Sequence, residues 1–186
     1  FRTVGRLPLR GRGEGLAPLP GADADAAWRG VVPTAELPRL VDPPSGYAAA
    51  ANARVTPAGV PPLVSADNAT DYRLRRIAAV LGQGVHDVES MRALQVDWRD
   101  EQAALLLPAM LPALRDLQGT EAAARELLAA WSADPVARPE SGAPLLFHRW
   151  YLALARRALE PALGAETYAQ LLRRNYLLNH ALDRLV

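Results

Sequence analysis

The side chains able to do chemistry are few and unevenly spread. Asn52 closes the stretch Val41-Asp42-Pro43-Pro44-Ser45-Gly46-Tyr47-Ala48-Ala49-Ala50-Ala51-Asn52, and nothing between Tyr47 and Asn52 carries a functional group. On residue type alone, a carboxamide there caps the segment by bonding to the backbone. His86, His148 and His180 lie far apart, and none has a partner at ligand spacing, which argues against a metal centre. Asp97, Asp100 and Glu101 fall on successive helical turns and read as a solvated face rather than a general-acid pair. Gly11, Gly13 and Gly15 alternate, but no Lys-Ser/Thr follows and the dinucleotide spacing is absent, so they read as a loop. No serine sits in Gly-x-Ser-x-Gly. The chain has no cysteine, which removes a thiol nucleophile, a disulfide framework and a cysteine zinc site.

The elements that must position Asn52 follow from the punctuation around it. Pro43 and Pro44 remove two backbone donors and forbid helix locally, and Gly46 permits a sharp turn. Ala48 to Asn52 then reads as a buried strand whose small residues let another group come close. Upstream, Arg2 to Arg10 partly alternates apolar and polar, as a half-buried strand does. Trp28 to Val32 reads as a short strand with its indole in the core, and Thr34 to Pro38 as one helical turn. Downstream, a proline-rich link from Pro57 to Pro62 gives way to helical pattern. Thr70 is the expected N-cap with Asp71 in the first turn, Ile77, Val80 and Leu81 form one apolar face, and Gly82 and Gly84 end the helix. Asp87 caps a second helix, whose Val88, Met91, Leu94 and Trp98 read as core. A helix from Asp100 to Leu117 should kink or restart at Pro108 and Pro112. Further helices are expected over Thr120–Trp131, over Pro144–Leu159 with Phe147, Trp150, Tyr151 and Leu154 buried, and over Glu166–Leu185. No internal repeat is evident. The fold class expected is α+β and predominantly helical: a β-rich part over residues 1–60, then a multi-helix region over 61–186.

Composition sets further bounds. The 186 residues are one domain's worth of chain, half of them are hydrophobic, and the formal net charge is +1. That balance gives no electrostatic case for nucleic acid or an anionic membrane. No apolar run is long enough to span a bilayer, and no signal-peptide pattern is present. Phe1 is not a plausible native start, so a piece of a longer protein is expected.

The motif Pro43-Pro44-Ser45-Gly46-Tyr47, followed five residues later by Asn52, resembles the penicillin acylase (penicillin amidase) family of N-terminal nucleophile hydrolases. Gly5-Arg6-Leu7-Pro8, Trp28-Arg29-Gly30 and Glu36-Leu37-Pro38 agree with it upstream, and Asp71-Tyr72-Arg73-Leu74-Arg75-Arg76-Ile77 agrees downstream. The likeness is good to about Trp98 and continuous to about Trp150. It implies an enzyme that cleaves itself into a small and a large chain, with the new amino-terminal Ser of the large chain as nucleophile and, through its α-amine, as base. Asn52 then matches the family's oxyanion-hole donor. Arg73 matches an arginine behind the active site that holds that Asn; on its own it is a cation in a first helical turn, where the macrodipole disfavours it. Arg75 and Arg76 lack that match and read as a solvated basic face. Some members carry a large aromatic before the oxyanion Asn to line the acyl pocket; here Ala51 implies a roomier pocket and a longer acyl chain.

The resemblance makes this an interior segment of the large chain, without the nucleophile and inactive by itself. Its partners would be the small chain and the rest of the large chain, with a small-molecule acyl amide as substrate: a β-lactam antibiotic with an aryl or adipyl-type side chain, or an acyl-homoserine lactone. A periplasmic or secreted location is implied. Family members bind structural calcium partly through an Asp in the stretch holding Asp67, but the spacing does not align and no cofactor is assigned. The alternative is a non-catalytic helical binding module that keeps the motif, with its exposed apolar faces as a partner surface. Self-association fits either reading.

Overall fold

The structure is a computed structural model, and it describes residue 3 and residues 5–183. Arg2, Val4 and Leu185, expected in the first strand and the last helix, lie outside the described residues. The chain forms two compact units, Phe1–Leu74 and Arg75–Val186.

In the first unit, β1 (Pro8–Arg10) pairs antiparallel with β2 (Trp28–Val31), with Leu9 opposite Gly30 and a bulge between Leu9 and Arg10. A 3-10 turn at Ala24–Ala26 lies in the connection, capped by Asp23, whose carboxylate accepts from the Asp25 N–H. A second 3-10 turn at Thr34–Glu36 ends at buried Leu37, before Pro38. The strand expected at Trp28 is present, but its indole is 67% exposed. All four β2 residues are exposed, and among the described residues the sheet has two strands, too few to bury a face of their own.

The strand expected over Ala48–Asn52 does not form. Among the described residues the only strand ladder joins β1 and β2. The alanines carry too little apolar surface to hold a bare strand against a layer, and a strand needs a ladder partner for its backbone groups. Asn52 instead adopts φ 58°, and its carbonyl accepts from the Ala69 N–H at 2.8 Å.

The helical part opens with α1 (Tyr72–Leu81). Asp71, not Thr70, is therefore the residue that precedes the first turn; either type suits that place. The Gly82 N–H donates to the Ala78 carbonyl at the far end. In α2 (Val88–Gln95), Asp87 and Ser90 form a reciprocal capping box. Its expected core stripe is overturned: Val88 is 71% and Trp98 53% exposed, Met91 is exposed too, and only Leu94 is half-buried. Helical spacing defines a face, but it does not say what covers that face.

Asp100 caps α3 (Glu101–Met110), which contains Pro108 and passes into a 3-10 turn at Leu111–Leu114 holding Pro112. There follow α4 (Gly119–Ser132), α5 (Ala143–Leu163), α6 (Ala165–Leu172) and α7 (Asn175–Leu182). Gly164, at φ 77°, separates α5 from α6 in a conformation that glycine tolerates best. One apolar cluster joins α3 to α7 through Leu107, Leu128, Phe147, Leu178 and Leu182. Phe147 is its centre, fully buried, with ring centroids 6.0 Å from Trp131 and 6.2 Å from Tyr151. The fold is α+β and predominantly helical. Among the described residues, no helix is long and apolar enough to cross a membrane.

Candidate functional site

Residues 52 and 73 meet within the first unit. Arg73, near the start of α1, donates from Nη2 to Asn52 Oδ1 at 2.5 Å and to the Ala51 carbonyl at 3.1 Å. A guanidinium has donors and no acceptor, so the oxygen end of the Asn52 carboxamide must face it. The Nδ2 end is left directed away from Arg73, and Asn52 is exposed. The left-handed backbone at Asn52 is one that Asn adopts more readily than most residues. A tight turn serves that backbone: the Asp67 N–H donates to Ser65 Oγ at 3.1 Å, and Asn68 Nδ2 donates to the Ser65 carbonyl at 2.8 Å. The next residue, Ala69, supplies the N–H that holds the Asn52 carbonyl. Asn52 is thus tied at its main-chain oxygen and at its side-chain oxygen. The two acceptors that Arg73 meets offset its unfavourable place in the helix dipole.

Ala51 is buried and lines a concavity of ≈ 250 Å³, with Pro38, Arg39, Leu40, Ala49, Ala50, Ala53, Arg54, Val55 and Leu74. Asn52 itself is not among the lining residues, although its chain neighbours Ala51 and Ala53 are; a carboxamide NH2 on an anchored frame can act as a preorganised donor to an oxygen that gains negative charge. Around Asp67, among the described residues, no three His, Asp or Glu side chains gather to hold a metal ion.

Asp97, Asp100 and Glu101 are not a solvated face, and Arg76 is not a solvated cation. Arg76 donates from Nε and Nη2 to Asp97 Oδ2 at 3.1 and 2.6 Å. The other oxygen of Asp97 accepts from the Arg99 N–H at 2.9 Å. Arg99 then reaches Glu101 at 3.0 Å and Asp134 at 2.7 Å. Asp100 caps the Ala103 N–H at 2.8 Å and lies 2.9 Å from His148 Nε2, so His148 has a partner too. The hydrogen bond from Arg76 holds the Asp97 carboxyl below the usual carboxylate range, against the opposing effect of burial. These pairs join residues 21, 35 and 48 positions apart, and no local spacing announces them. Arg75 is exposed, as its pattern implied.

The sequence model of the penicillin amidase family matches residues 1–184. The acyl-homoserine lactone acylase QuiP of Pseudomonas fluorescens is 37% identical over 106 residues, which is 57% of this chain and 13% of that protein. The QuiP acylase of Pseudomonas putida is 37% identical over 97 residues, 52% of this chain and 12% of that protein. The penicillin acylase 2 proenzyme of a Pseudomonas species is 34% identical over 129 residues, 68% of this chain and 16% of the proenzyme. The chain thus matches between an eighth and a sixth of the length of these relatives.

Proposed function

This chain belongs to the penicillin amidase family, and on that premise we propose that it works as part of an acylase that hydrolyses acyl amides. The observation that carries the reading is the Arg73–Asn52 hydrogen bond, which turns the carboxamide NH2 outward. In the proposed reaction, an amino-terminal Ser elsewhere in the parent protein attacks the amide carbonyl with its own α-amine as base. The carbonyl oxygen becomes an oxyanion and takes a hydrogen bond from Asn52 Nδ2; loss of the amine leaves an acyl-enzyme that water releases as the acid. Arg73 is a positioning residue in this scheme, and Ala51 is a wall of the acyl pocket. Acyl-homoserine lactones and β-lactam side chains are the substrate classes the relatives' names support. The partners are the small chain and the remainder of the large chain, and the location is periplasmic or secreted.

The intact mass of the full-length gene product tests the proposal. Two chains are expected, the larger beginning with Ser and containing this segment. In that processed protein, Asn52→Ala should lower kcat by roughly 10²–10³-fold, as loss of an oxyanion donor does. A single uncut chain, or hydrolysis indifferent to Asn52→Ala, would return Asn52 to a backbone cap. The exposed stripe Val88, Met91 and Trp98 favours a second reading, a non-catalytic binding module. An uncut product that captures a partner through α2 would support it.

A further inference from the structure

The direction of the Asn52 carboxamide depends on more than the contact with Arg73. A peptide plane is rigid, so the conformation of a residue is set by the two planes on either side of its Cα, between which only φ and ψ turn. At Asn52 both planes are held. Arg73 Nη2 donates to the Ala51 carbonyl at 3.1 Å and fixes the plane before it. The Ala69 N–H donates to the Asn52 carbonyl at 2.8 Å and fixes the plane after it. The φ of 58° at Asn52 is one that a residue other than glycine keeps only where its surroundings impose it. A hydrogen bond to Oδ1 alone pins one atom, about which the NH2 can still swing. With both flanking planes held as well, the Cα–Cβ bond has one direction and the NH2 follows it.

The Ala69 N–H is itself placed by a turn that two side chains make. Ser65 Oγ accepts from the Asp67 N–H and donates to the Asp67 carbonyl, both at 3.1 Å. Asn68 Nδ2 donates to the Ser65 carbonyl at 2.8 Å. Residues 65–69 lie in no helix or strand, so these bonds, rather than a ladder, shape the chain that carries Ala69. We propose that Ser65 and Asn68 are positioning residues for Asn52: they form the turn that presents the Ala69 N–H, and through that bond they aim the carboxamide NH2. The consequence for rate rests on the acylase reading; the hold on Ala69 and Asn52 does not.

Ser65→Ala and Asn68→Ala in the full-length parent protein test the proposal by two readouts. Hydrogen exchange at the Ala69 amide should quicken about fivefold in each, as loss of one hydrogen bond's support allows, and Ser65→Thr, which keeps the hydroxyl, should exchange as the parent does. In the processed enzyme, kcat should fall about tenfold in each alanine variant with KM unchanged, a fraction of what removal of the oxyanion donor costs. In an Asn52→Ala background, neither substitution should lower kcat further, because a residue that acts through Asn52 has nothing left to aim. A purely structural role would give the same loss in both backgrounds. Unchanged Ala69 exchange in both alanine variants, or a kcat loss that adds to that of Asn52→Ala, overturns the proposal. If Ser65→Ala fails to fold, Asn68→Ala carries the same comparison. Faster Ala69 exchange in a protein whose rate ignores Asn52→Ala would keep the hold on Asn52 and overturn the acylase reading. A rate that needs Asn52 but ignores both turn residues would do the reverse.

Discussion

The two units hold their shape by different means. Of the sixteen buried apolar residues among those described, only Val32, Leu37 and Ala51 belong to the first unit. The other thirteen form the single helical cluster around Phe147. The first unit instead relies on backbone bonds across a short ribbon, capped turns, and the two oxygens that Arg73 engages. Apolar packing is non-directional and tolerates small shifts. A hydrogen-bonded clamp depends on angle and distance. The difference teaches that the candidate chemistry sits where geometry is set by a few directed bonds, while bulk stability resides in the helices.

The strongest way to break that contrast is to empty the helical core. Phe147→Ala should cost about 3–5 kcal/mol, through lost burial and the cavity left between Trp131 and Tyr151. Urea unfolding followed by the helical circular dichroism signal measures it. A loss below about 1 kcal/mol would mean that polar bonds, and not the apolar cluster, hold the helices.

The clamp should respond in the opposite way, with little change in stability and a large change in rate. Arg73→Lys keeps the charge but not the longer, planar guanidinium whose Nη2 reaches both Asn52 Oδ1 and the Ala51 carbonyl. In the processed parent protein, kcat should fall about 10²-fold with KM nearly unchanged, because substrate binding does not depend on the orientation of the carboxamide. A variant with wild-type kcat, or one that loses only KM, would remove Arg73 from the positioning role.

The same contrast explains what the sequence made legible. Helices with local start and stop signals are readable: Asp87 caps where expected, the helix expected from Asp100 begins there with Asp100 itself as its cap, and Gly164 breaks α5 from α6. The pairing of Asn52 with Arg73 was accessible through motif resemblance, since they lie 21 positions apart across mostly irregular chain and no period links them. Ala48–Asn52 was misread because small side chains permit an extended segment but cannot supply its ladder partner, and a left-handed φ at Asn52 is not encoded by the residue type alone. Trp28 and the α2 stripe were misread for a related reason: a face is a local property, and cover is not. The Arg76–Asp97–Arg99–Glu101–Asp134 network lay beyond local reading altogether, because it joins a helix, a loop and another helix's C-terminal flank.

That network offers the smallest and most selective test, because it is a directed polar device inside the apolar unit. The Arg76 hydrogen bond holds the folded carboxyl of Asp97 below its ordinary value of 3.8, so folding favours the charged form. The stabilisation is therefore fully present above about pH 3.8 and fades as pH falls through the lower folded value. Asp97→Asn keeps the shape and removes the charge. Near neutral pH the variant should be less stable by about 1 kcal/mol, the upper range for a pair that is only partly shielded from solvent. In acid the wild-type protein loses this advantage, so its stability should fall more steeply than the variant's and the two curves should converge. Urea midpoints measured down the acid limb give the answer. A deficit that stays constant with pH would mean that Asp97 acts through packing alone, and the helical unit would then owe nothing to its charges there.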